Sequence, residues 1–479
     1  MRLLELLNNV DITRNDVGDI DVTEIVYDSR KVTPGCVFVA ISGVGTDAHK
    51  FVQDALSKGA KCAVVEKDGY PDSVLVKDTR RALAIMCGNF YGNPSKSFKL
   101  IGVTGTNGKT TSTYLIKHIL EACGYKVGLI GTIQNMVGDR VMETSYTTPE
   151  PLQLQQLFKV FEDEKVDYAV MEVSSHSLAQ ERVAGLEFEV GIFTNLTQDH
   201  LDYHKTMENY MLAKAKLFSV SKTGIFNIDD KYTEKMMQAV PCRKVTYSVN
   251  DAKADYFADS MFFEPTGVKY RMASPEGDFQ VSIKVPGKFT VYNSLGVIAA
   301  CRELGIPTEK IVSAISEITG VKGRVEVVPT KGDYTVLIDY AHTPDAIENV
   351  LSTVREVSKG RVVVLFGCGG DRDRTKRPKM GRAAFSLADF CIVTSDNPRS
   401  EDPDAIIEDI MEGVKDMNTP YTVISNRKEA IEYAIKNAKK DDVIVLAGKG
   451  HETYQILADK TIHFDEREII ADIYGNTEA

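Results

Sequence analysis

The sequence predicts an α/β protein of three domains, and two observations carry this prediction. The chain has 479 residues, which is more than a single hydrophobic core usually supports. Short apolar runs alternate with helical patterns along its length, and this alternation favours parallel sheets that helices cover on both faces. A polar, turn-forming stretch at residues 92–97 marks the first boundary. The predicted domains span residues 1–96, 97–326 and 327–479.

The first predicted domain is a small α/β unit. Its strand candidates are residues 36–41 and Cys62–Val65, and its helical patterns lie at residues 51–58 and 80–91. Because strands and helices alternate within so few residues, we expect one sheet with a small core of its own.

The central domain begins with a glycine-rich loop. Residues 102–111 read Gly-Val-Thr-Gly-Thr-Asn-Gly-Lys-Thr-Thr and lie between an apolar run and a helical pattern at 112–123. A strand that turns through small residues into a helix directs backbone N–H groups and the helix dipole at one point, where an anion binds. Lys109 would contact the outer phosphates of a nucleotide, and the Thr110 hydroxyl would face Mg²⁺. Val103 stands where the strict pattern has glycine, which excludes the GTPase type of loop; a turn without a ligand is the alternative.

Candidate metal ligands follow in the same domain. Strand candidates at Val127–Ile130, 168–173 and 191–196 predict a parallel sheet buried on both faces. Glu172 ends one of them, where a carboxylate can hold Mg²⁺, although an exposed helix-capping glutamate is the alternative. His200 is either a second metal ligand or a local hydrogen-bonding group. Lys214 and Lys216 share a helical pattern in which both look solvated, and nothing in the sequence distinguishes them.

The third domain repeats the alternation more regularly and predicts a doubly wound, Rossmann-like fold. Its strand candidates are residues 336–339, Val362–Phe366, 390–394, 421–424 and Val443–Ala447. Ligands of such sheets bind beyond the carboxyl ends of the strands. The side chains that can carry chemistry follow those ends: Asp339, Arg372, Arg374, Lys376, Arg377, Asp396, Arg399 and Glu452.

Two groups of these side chains indicate a ligand. The four basic residues between 372 and 377 suit recognition of phosphate or carboxylate, with a solvated loop as the alternative. Asp396 or Glu452 would meet an ammonium group, and Arg399 would meet a carboxylate. Because burying an unpaired charge is costly, a pocket lined with both signs predicts a ligand that carries both.

Composition argues against several classes of function. A formal net charge of -11 and a pI near 5.4 argue against a nucleic-acid partner. Eight cysteines without a Cys-x-x-Cys pair exclude the usual zinc and redox motifs and predict reduced, mostly buried thiols. The N-terminal apolar run is short and is interrupted by Glu5. We therefore expect no signal peptide and no membrane association, and we expect a cytoplasmic protein.

Several motifs together resemble the Mur ligases of bacterial cell-wall synthesis. In chain order they are Gly-Thr-Asn-Gly-Lys-Thr-Thr at 105–111, Glu-Val-Ser-Ser-His at 172–176, Tyr-Ala-His-Thr-Pro-Asp at 340–345, Gly-Cys-Gly-Gly-Asp-Arg-Asp at 367–373 and Gly-Lys-Gly-His-Glu at 448–452. Each motif alone would be weaker evidence. Their order over essentially the whole chain makes chance negligible.

The resemblance implies a ligase that uses ATP and Mg²⁺. Its substrates would be UDP-N-acetylmuramoyl-L-alanyl-D-glutamate and meso-diaminopimelate, joined through an acyl phosphate. The first domain would bind the uridine nucleotide, the second would be an ATPase and the third would bind the amino acid, in a chain that we expect to be a monomer. Alternatives are a folylpolyglutamate synthetase, a cell-wall tripeptide recycling enzyme and, outside the ligases, a nucleotide-driven switch.

The resemblance also implies roles for individual residues. ATP would contact Gly105, Thr106, Asn107, Gly108, Lys109, Thr110, Thr111, Asn293, Arg324 and Asp339. The uridine and sugar-peptide parts of the other substrate would contact Tyr27, Ser29, Val44, Gly45, Thr46, Thr147, Thr148, Ser174, Gln180 and Arg182. Diaminopimelate would contact Arg372, Asp396, Asn397, Pro398, Arg399, Gly448 and Glu452, with Arg399 on its distal carboxylate. Mg²⁺ would be held by Thr110, Glu172, His200 and Lys214, the last as a carbamate (N6-carboxylysine), and Lys109, Lys214, Glu172 and His200 would serve catalysis.

Overall fold

The computed structural model describes residues 1–43, 46–142 and 146–475. These residues form two compact units. The first comprises Met1–Tyr247 with Ala299–Ile306, and the second comprises Ser248–Ile298 with Pro307–Ala479. Among the described residues, no helix is both long enough and apolar enough to cross a membrane.

The N-terminal part of the first unit is a five-stranded sheet with three helices. The strands are β1 (Ile12–Asn15), β2 (Ile25–Val26), β3 (Val37–Val39), β4 (Cys62–Val65) and β5 (Ser73–Val76), and the helices are α1 (Leu3–Leu6), α2 (Val52–Ser57) and α3 (Thr79–Phe90). Strands β2 to β5 are parallel and β1 is antiparallel to β5. Helix α3 begins after Asp78, whose carboxylate accepts hydrogen bonds from the backbone N–H groups of Arg80 and Arg81. The small α/β unit expected from the sequence is therefore present.

The rest of the first unit contains the glycine-rich loop. Its strands are β6 (Lys99–Thr104), β7 (Val127–Ile130), β8 (Asn135–Val137), β9 (Arg140–Met142), β10 (Tyr168–Glu172), β11 (Phe188–Phe193), β12 (Ser221–Asn227) and β13 (Arg243–Ser248). Its helices are α4 (Lys109–Ala122), α5 (Pro151–Asp163), α6 (Ser175–Ala179), α7 (Leu201–His204), α8 (Met207–Ser219) and α9 (Thr233–Gln238). Within this unit the strand order is β13-β12-β11-β6-β10-β7-β8-β9, and the six strands from β13 to β7 are parallel.

Parallel pairing places the carboxyl ends of β6, β10 and β11 at one edge of this sheet. Glu172 on β10 pairs with Val103 on β6, and Phe193 on β11 pairs with Thr104. The sheet packs against helices through aromatic side chains such as Phe158 and Phe188, which have no exposed surface. Burial of each of these side chains stabilises the fold by about 2–3 kcal/mol. A rigid layer therefore holds the glycine-rich loop and Glu172 side by side.

The second unit begins with an antiparallel meander of β14 (Tyr256–Glu264), β15 (Gly267–Ser274) and β16 (Gly277–Ile283). Helices α10 (Lys288–Glu303) and α11 (Thr308–Ser316) follow it in the chain. No strands were predicted between residues 256 and 283, where the structure has this antiparallel meander. The turns before Gly267 and Gly277 contain Pro-Thr and Pro-Glu, and a positive φ of 118° at Gly277 allows the tighter reversal.

The remaining elements of the second unit form a six-stranded sheet, a hairpin and five helices. The strands are β17 (Glu326–Val328), β18 (Thr335–Asp339), β19 (Val362–Phe366), β20 (Phe390–Val393), β21 (Tyr421–Val423), β22 (Val443–Ala447), and β23 (Tyr454–Ile456) with β24 (Thr461–His463). The helices are α12 (Pro344–Val357), α13 (Lys376–Leu387), α14 (Pro403–Met411), α15 (Arg427–Lys436) and α16 (Glu466–Gly475). The strand order is β17-β18-β22-β19-β20-β21. Neighbouring strands are parallel, except that β17 is antiparallel to β18. The predicted doubly wound fold is confirmed.

Candidate active site

The glycine-rich loop joins β6 to α4 as the sequence predicts. Gly105 has a φ of 154°, and a Cβ added there would lie 1.8 Å from Oγ1 of Thr194, so no larger residue fits this backbone. The N–H groups of Thr106 and Asn107 donate to the main-chain and side-chain oxygens of Asn195, both at 2.9 Å. The loop is thus clamped to the segment that follows β11, which fixes its shape before any ligand binds.

The lysine of this loop lies over the loop itself. Nζ of Lys109 donates hydrogen bonds to the carbonyl oxygens of Gly105 at 2.9 Å and Thr106 at 2.8 Å. Helix α4 begins at Lys109, after Gly108 with a φ of 85°. A cation and a helix N-terminus therefore stand together, and both favour a bound anion.

Glu172 is buried beside the loop, with only 1% of its surface exposed. Its carboxylate accepts hydrogen bonds from Oγ1 of Thr110 at 3.0 Å, from the Thr132 N–H at 2.8 Å and from Oγ1 of Thr132 at 3.0 Å. The exposed, helix-capping alternative for Glu172 is excluded. Thr132 was not among the predicted site residues, although its position just after β7, at the same sheet edge, was a usable signal.

Lys214 is buried, and the expectation that it is solvated was wrong. It is 1% exposed, its Nζ donates to the carbonyl oxygen of Gly105 at 2.8 Å, and it stands 4.6 Å from the ring centroid of Tyr210. Burial, together with the nearby positive charge of Lys109, holds the pKa of Lys214 well below its usual range. Lys216, by contrast, is exposed and forms an ion pair with Glu181 at 2.5 Å. The fold therefore distinguishes two lysines that the sequence could not separate.

His200 lies in a cluster of rings at the end of α7. Its side chain is exposed, its Nε2 lies 3.3 Å from a carboxylate oxygen of Asp199, and its ring centroid lies 4.7 Å from that of His176. Tyr210 joins the cluster to the loop, because its hydroxyl lies 3.3 Å from Oγ1 of Thr106. Among the described residues, no group of three or more His, Cys, Asp or Glu side chains is spaced to hold a metal ion.

The four candidate Mg²⁺ ligands are therefore only partly assembled. Thr110 and Glu172 are in direct contact and supply hard oxygen atoms, as Mg²⁺ prefers. Lys214 contacts the same loop through a nitrogen atom, which is a poor Mg²⁺ ligand but becomes an oxygen donor as a carbamate. These three residues fit the ion, whereas His200 contacts Asp199 and the ring of His176.

We expect acidification to destabilise the first unit through His204. This residue is 6% exposed, its Nε2 lies 2.9 Å from Oγ of Ser175, and burial with nearby His176 and Lys214 lowers its pKa to about 4. Below about pH 6.5 the unfolded chain binds a proton at this position, whereas the folded chain does so only near pH 4. The free energy of unfolding therefore falls as the pH drops through this window, by at most about 3 kcal/mol. Thermal melting at about pH 7 and about pH 4.5 should show a smaller loss for His204→Gln than for the wild type, and an equal loss would contradict this assignment.

A second hydrogen-bonded group adjoins Glu172. Oγ1 of Thr148 donates to the Glu172 carbonyl at 2.8 Å and accepts from the Ser174 N–H at 3.1 Å. Arg182 donates to the Thr148 carbonyl at 2.8 Å and to Oε1 of Gln180, and it pairs with Glu150 at 2.6 Å. Oγ1 of Thr147 lies 3.0 Å from Oγ1 of Thr132. The structure thus brings together all five candidate sugar-peptide contacts: Thr147, Thr148, Ser174, Gln180 and Arg182.

The candidate uridine contacts lie in the N-terminal part of the same unit. Tyr27 is half-buried, and burial together with the negative charge of Glu150 raises its pKa. Ser29 opens a short 3₁₀ helix that the Asp28 carboxylate caps. The carbonyl of exposed Thr46 accepts a hydrogen bond from the Gly43 N–H at 3.0 Å. Two further candidates, Val44 and Gly45, lie outside the described residues.

The candidate amino-acid pocket follows β20 and β22 in the second unit. Asp396 is 8% exposed, and its carboxylate accepts no hydrogen bond within the part of the chain that the structure describes. A Cβ at Gly448 would lie 2.5 Å from this carboxylate, so glycine keeps the space beside it open. Nδ2 of Asn397 donates to Oε2 of Glu452 at 2.9 Å. The structure therefore brings Asp396, Asn397, Gly448 and Glu452 together around an almost buried, unpaired carboxylate.

Arg399 lies at the edge of this pocket with a φ of 52°. Its Nη1 donates to the carbonyl of Gly370 at 2.9 Å, while Nε and Nη2 have no hydrogen-bond partner among the described residues. The carbonyl of Pro398 packs against Gly370. A Cβ added at Gly370 would lie 1.9 Å from this carbonyl oxygen. Arg372 is exposed, and the Asp371 carbonyl, at 3.0 Å, is its only acceptor among the residues that the structure describes. Two guanidinium groups thus keep donors available for a ligand.

The other basic residues of this segment contact protein groups. Arg377 has no exposed side-chain surface and pairs with Glu401 at 2.7 Å and with Asp409 at 2.8 Å. Arg374 also pairs with Asp409, at 3.0 Å, and Lys376 donates to a main-chain carbonyl, that of His342. The expected basic cluster is therefore divided, and the hydrogen bonds from Arg377 lower the pKa of Glu401 to about 2.

The remaining nucleotide candidates, Asn293, Arg324 and Asp339, lie in the second unit. The buried carboxylate of Asp339 accepts from the Val325 N–H at 2.8 Å, and burial raises its pKa despite the opposing charge of Arg324. The Arg324 guanidinium stands 5.2 Å from the ring centroid of Tyr340. Asn293 is buried on α10 and has no hydrogen bond to either residue. Arg324 and Asp339 are therefore neighbours, and Asn293 is not joined to them.

Comparison with known proteins agrees with this architecture. Three family models match the chain: "Mur ligase family, catalytic domain" at residues 21–91, "Mur ligase middle domain" at 103–301 and "Mur ligase, glutamate ligase domain" at 323–450. The predicted domain bounds at residues 1–96, 97–326 and 327–479 stay a prediction.

Two relatives that match over nearly the whole chain carry the same name. The UDP-N-acetylmuramoyl-L-alanyl-D-glutamate--2,6-diaminopimelate ligase of Clostridium botulinum is 52% identical over 462 residues, which cover 95% of each chain. The ligase of the same name from Caldanaerobacter subterraneus is 50% identical and covers 100% of both chains. A solved structure of an enzyme with this name has a TM-score of 0.73 at 32% identity and covers 96% of both chains. The chain therefore belongs to the Mur ligase family.

Proposed function

We propose that this protein is an ATP-dependent ligase that joins meso-diaminopimelate to UDP-N-acetylmuramoyl-L-alanyl-D-glutamate. Relatives about half identical over their whole length carry that name. The observation that carries the proposal is one continuous hydrogen-bonded network, from Thr110 through Glu172 and Thr132 to Thr147. This network connects a phosphate-binding loop to the residues that would hold the peptide carboxylate. Phosphoryl transfer needs the γ-phosphate of ATP and the attacking carboxylate to be in line and close together.

In the proposed complex, the loop N–H groups and Lys109 bind the outer phosphates of ATP. Thr110, Glu172 and carbamylated Lys214 would hold Mg²⁺, with His200 as a further candidate ligand. When bound, this ion neutralises the charge that builds up on the transferring phosphoryl group. The low pKa of Lys214 supports its role, because only a neutral amine reacts with carbon dioxide to form a carbamate.

The chemistry then needs no protein nucleophile. An oxygen of the glutamyl γ-carboxylate attacks the γ-phosphorus of ATP, the bond to the bridging oxygen breaks, and ADP leaves. The neutral amine of diaminopimelate next attacks the acyl carbon, the bond to the phosphate oxygen breaks, and an amide, inorganic phosphate and a proton are released. Thr148 and Arg182 would hold the peptide part during both steps, so that positioning and electrostatics supply the rate enhancement.

Recognition of the amino acid would rest on complementary charges. Diaminopimelate carries two ammonium and two carboxylate groups. The unpaired carboxylate of Asp396 suits one ammonium, and the free Nε and Nη2 of Arg399 suit the distal carboxylate as a two-point contact. L-Lysine lacks that carboxylate and would leave Arg399 without a partner, which disfavours it strongly.

A phosphate-release assay tests this proposal. The purified protein is incubated with ATP, Mg²⁺ and the UDP-muramoyl dipeptide, and either meso-diaminopimelate or L-lysine is added. We expect rapid phosphate release with diaminopimelate, a rate lower by about 100-fold or more with L-lysine, and almost none when either substrate is omitted. Rapid ATP hydrolysis without the amino acid would contradict the proposal and favour a nucleotide-driven switch.

A further inference from the structure

A buried cation lies beneath the candidate amino-acid pocket. Lys449 has no exposed surface, and its Nζ donates to Oδ1 of Asn397 and to Oε2 of Glu452, both at 3.1 Å. The rings of Tyr454 and Phe464 stand 5.8 Å away on the apolar side. A fully buried ammonium group is costly unless it is paired, so these contacts hold Lys449 in one position.

This contact orients the carboxylate of Glu452. Oε2 of Glu452 receives two hydrogen bonds, from Lys449 and from Nδ2 of Asn397, whereas Oε1 accepts none within the described part of the chain. The Asn397 amide is fixed in turn, because its Oδ1 also accepts from the Ile456 N–H at 2.9 Å. One carboxylate oxygen is thus occupied inside the protein, and the other is left for a ligand.

We propose that Lys449 is a positioning residue that sets the specificity for the incoming amino acid. The inference rests on the proposed function and extends it to a residue outside the candidate ligand contacts. Lys449 acts through Glu452 and Asn397, and it does not touch the substrate.

The charge of Lys449 also affects which amino acid the pocket favours. Asp396 and Glu452 bring two negative charges to the pocket, whereas Lys449, Arg372 and Arg399 bring three positive charges. Diaminopimelate, with two charges of each sign, suits such a pocket. Without Lys449 the pocket would lose one positive charge, which favours L-lysine, with its extra positive charge, relative to diaminopimelate.

The test replaces Lys449 by methionine, which keeps the length of the side chain and removes the charge. For Lys449→Met we expect a KM for meso-diaminopimelate raised about tenfold, with kcat changed by less than about threefold. We also expect the preference for meso-diaminopimelate over L-lysine, as a ratio of kcat/KM values, to fall about tenfold. The matched control is Lys117→Met, since Lys117 is also nearly buried and pairs with a glutamate, Glu121 at 2.6 Å, on α4 of the first unit. The control should keep the wild-type KM and preference.

A double-mutant cycle separates positioning from general damage. If Lys449 acts through Glu452, adding Lys449→Met to Glu452→Gln should change the KM by less than about twofold. Equal effects of Lys449→Met in both backgrounds, or an unchanged KM and preference in the single variant, would overturn the inference. If Lys449→Met does not fold, as judged by thermal melting, Lys449→Gln takes its place with the same expected shifts. A wild-type protein that is inactive with meso-diaminopimelate would instead refute the proposed function.

Discussion

Replacing Lys214 by alanine is expected to abolish phosphate release with both substrates present. The structure buries this amine against the phosphate-binding loop and keeps its pKa low, which are the conditions under which a lysine can form a carbamate. Alanine removes the negative group that the carbamate would supply. We expect a rate lower by about 100-fold or more, since even a residue that only supports a metal ligand is typically worth 10- to 100-fold. The measurement is steady-state phosphate release by the purified variant at saturating substrates.

Chemical rescue makes this prediction specific. Acetate or another short carboxylate should restore part of the activity of Lys214→Ala, because it can occupy the space that the carbamate would have filled. Lys216→Ala is the matched control, since Lys216 lies on the same helix but is exposed and pairs with Glu181. The control should keep activity within about twofold of the wild type. Full activity of Lys214→Ala without added carboxylate would rule out a carbamate.

Replacing Arg399 by alanine is expected to lower kcat/KM for meso-diaminopimelate by about tenfold or more. The free Nε and Nη2 of this residue can form a charge-assisted, two-point contact with a carboxylate, worth roughly 1.5–3 kcal/mol. L-Lysine lacks that carboxylate, so its kcat/KM should change little, and the preference for meso-diaminopimelate should fall. Both quantities come from phosphate-release assays over a range of amino-acid concentrations.

Two controls accompany this variant. Arg399 has a positive φ, so thermal melting must first show that Arg399→Ala folds like the wild type. Arg382→Ala is the matched control, because Arg382 is an exposed arginine of the same unit that pairs with Asp416 at 2.8 Å. It should leave kcat/KM for both amino acids unchanged. An Arg399→Ala enzyme with wild-type kinetics would mean that another group recognises the distal carboxylate.

The phosphate-binding loop and the sheets around it could be predicted because their signals are local. Residues 105–111 need only the chain on either side to form a strand, a turn and a helix, and Cys62–Val65, Val127–Ile130, Val362–Phe366 and Val443–Ala447 are strands over the predicted residues. Residues 256–283 were missed, although the valine, tyrosine and methionine of β15 alternate with polar residues between two proline-glycine turns. That alternation is the pattern of a half-buried antiparallel strand.

The sequence by itself determined the order of the motifs, the α/β class and the sheet edge at which chemistry can occur, because each depends on spacing along one chain. Only the tertiary structure decided which charged side chains are buried or paired and which stay exposed to solvent. Lys214 and Lys216 are two residues apart on one helix, yet one is buried against the loop and the other is exposed. Arg377 and Arg399 differ in the same way: one is neutralised by Glu401 and Asp409, and the other keeps donors free. Burial and pairing depend on residues that are distant in the chain, and these contacts set the pKa and the availability of each group.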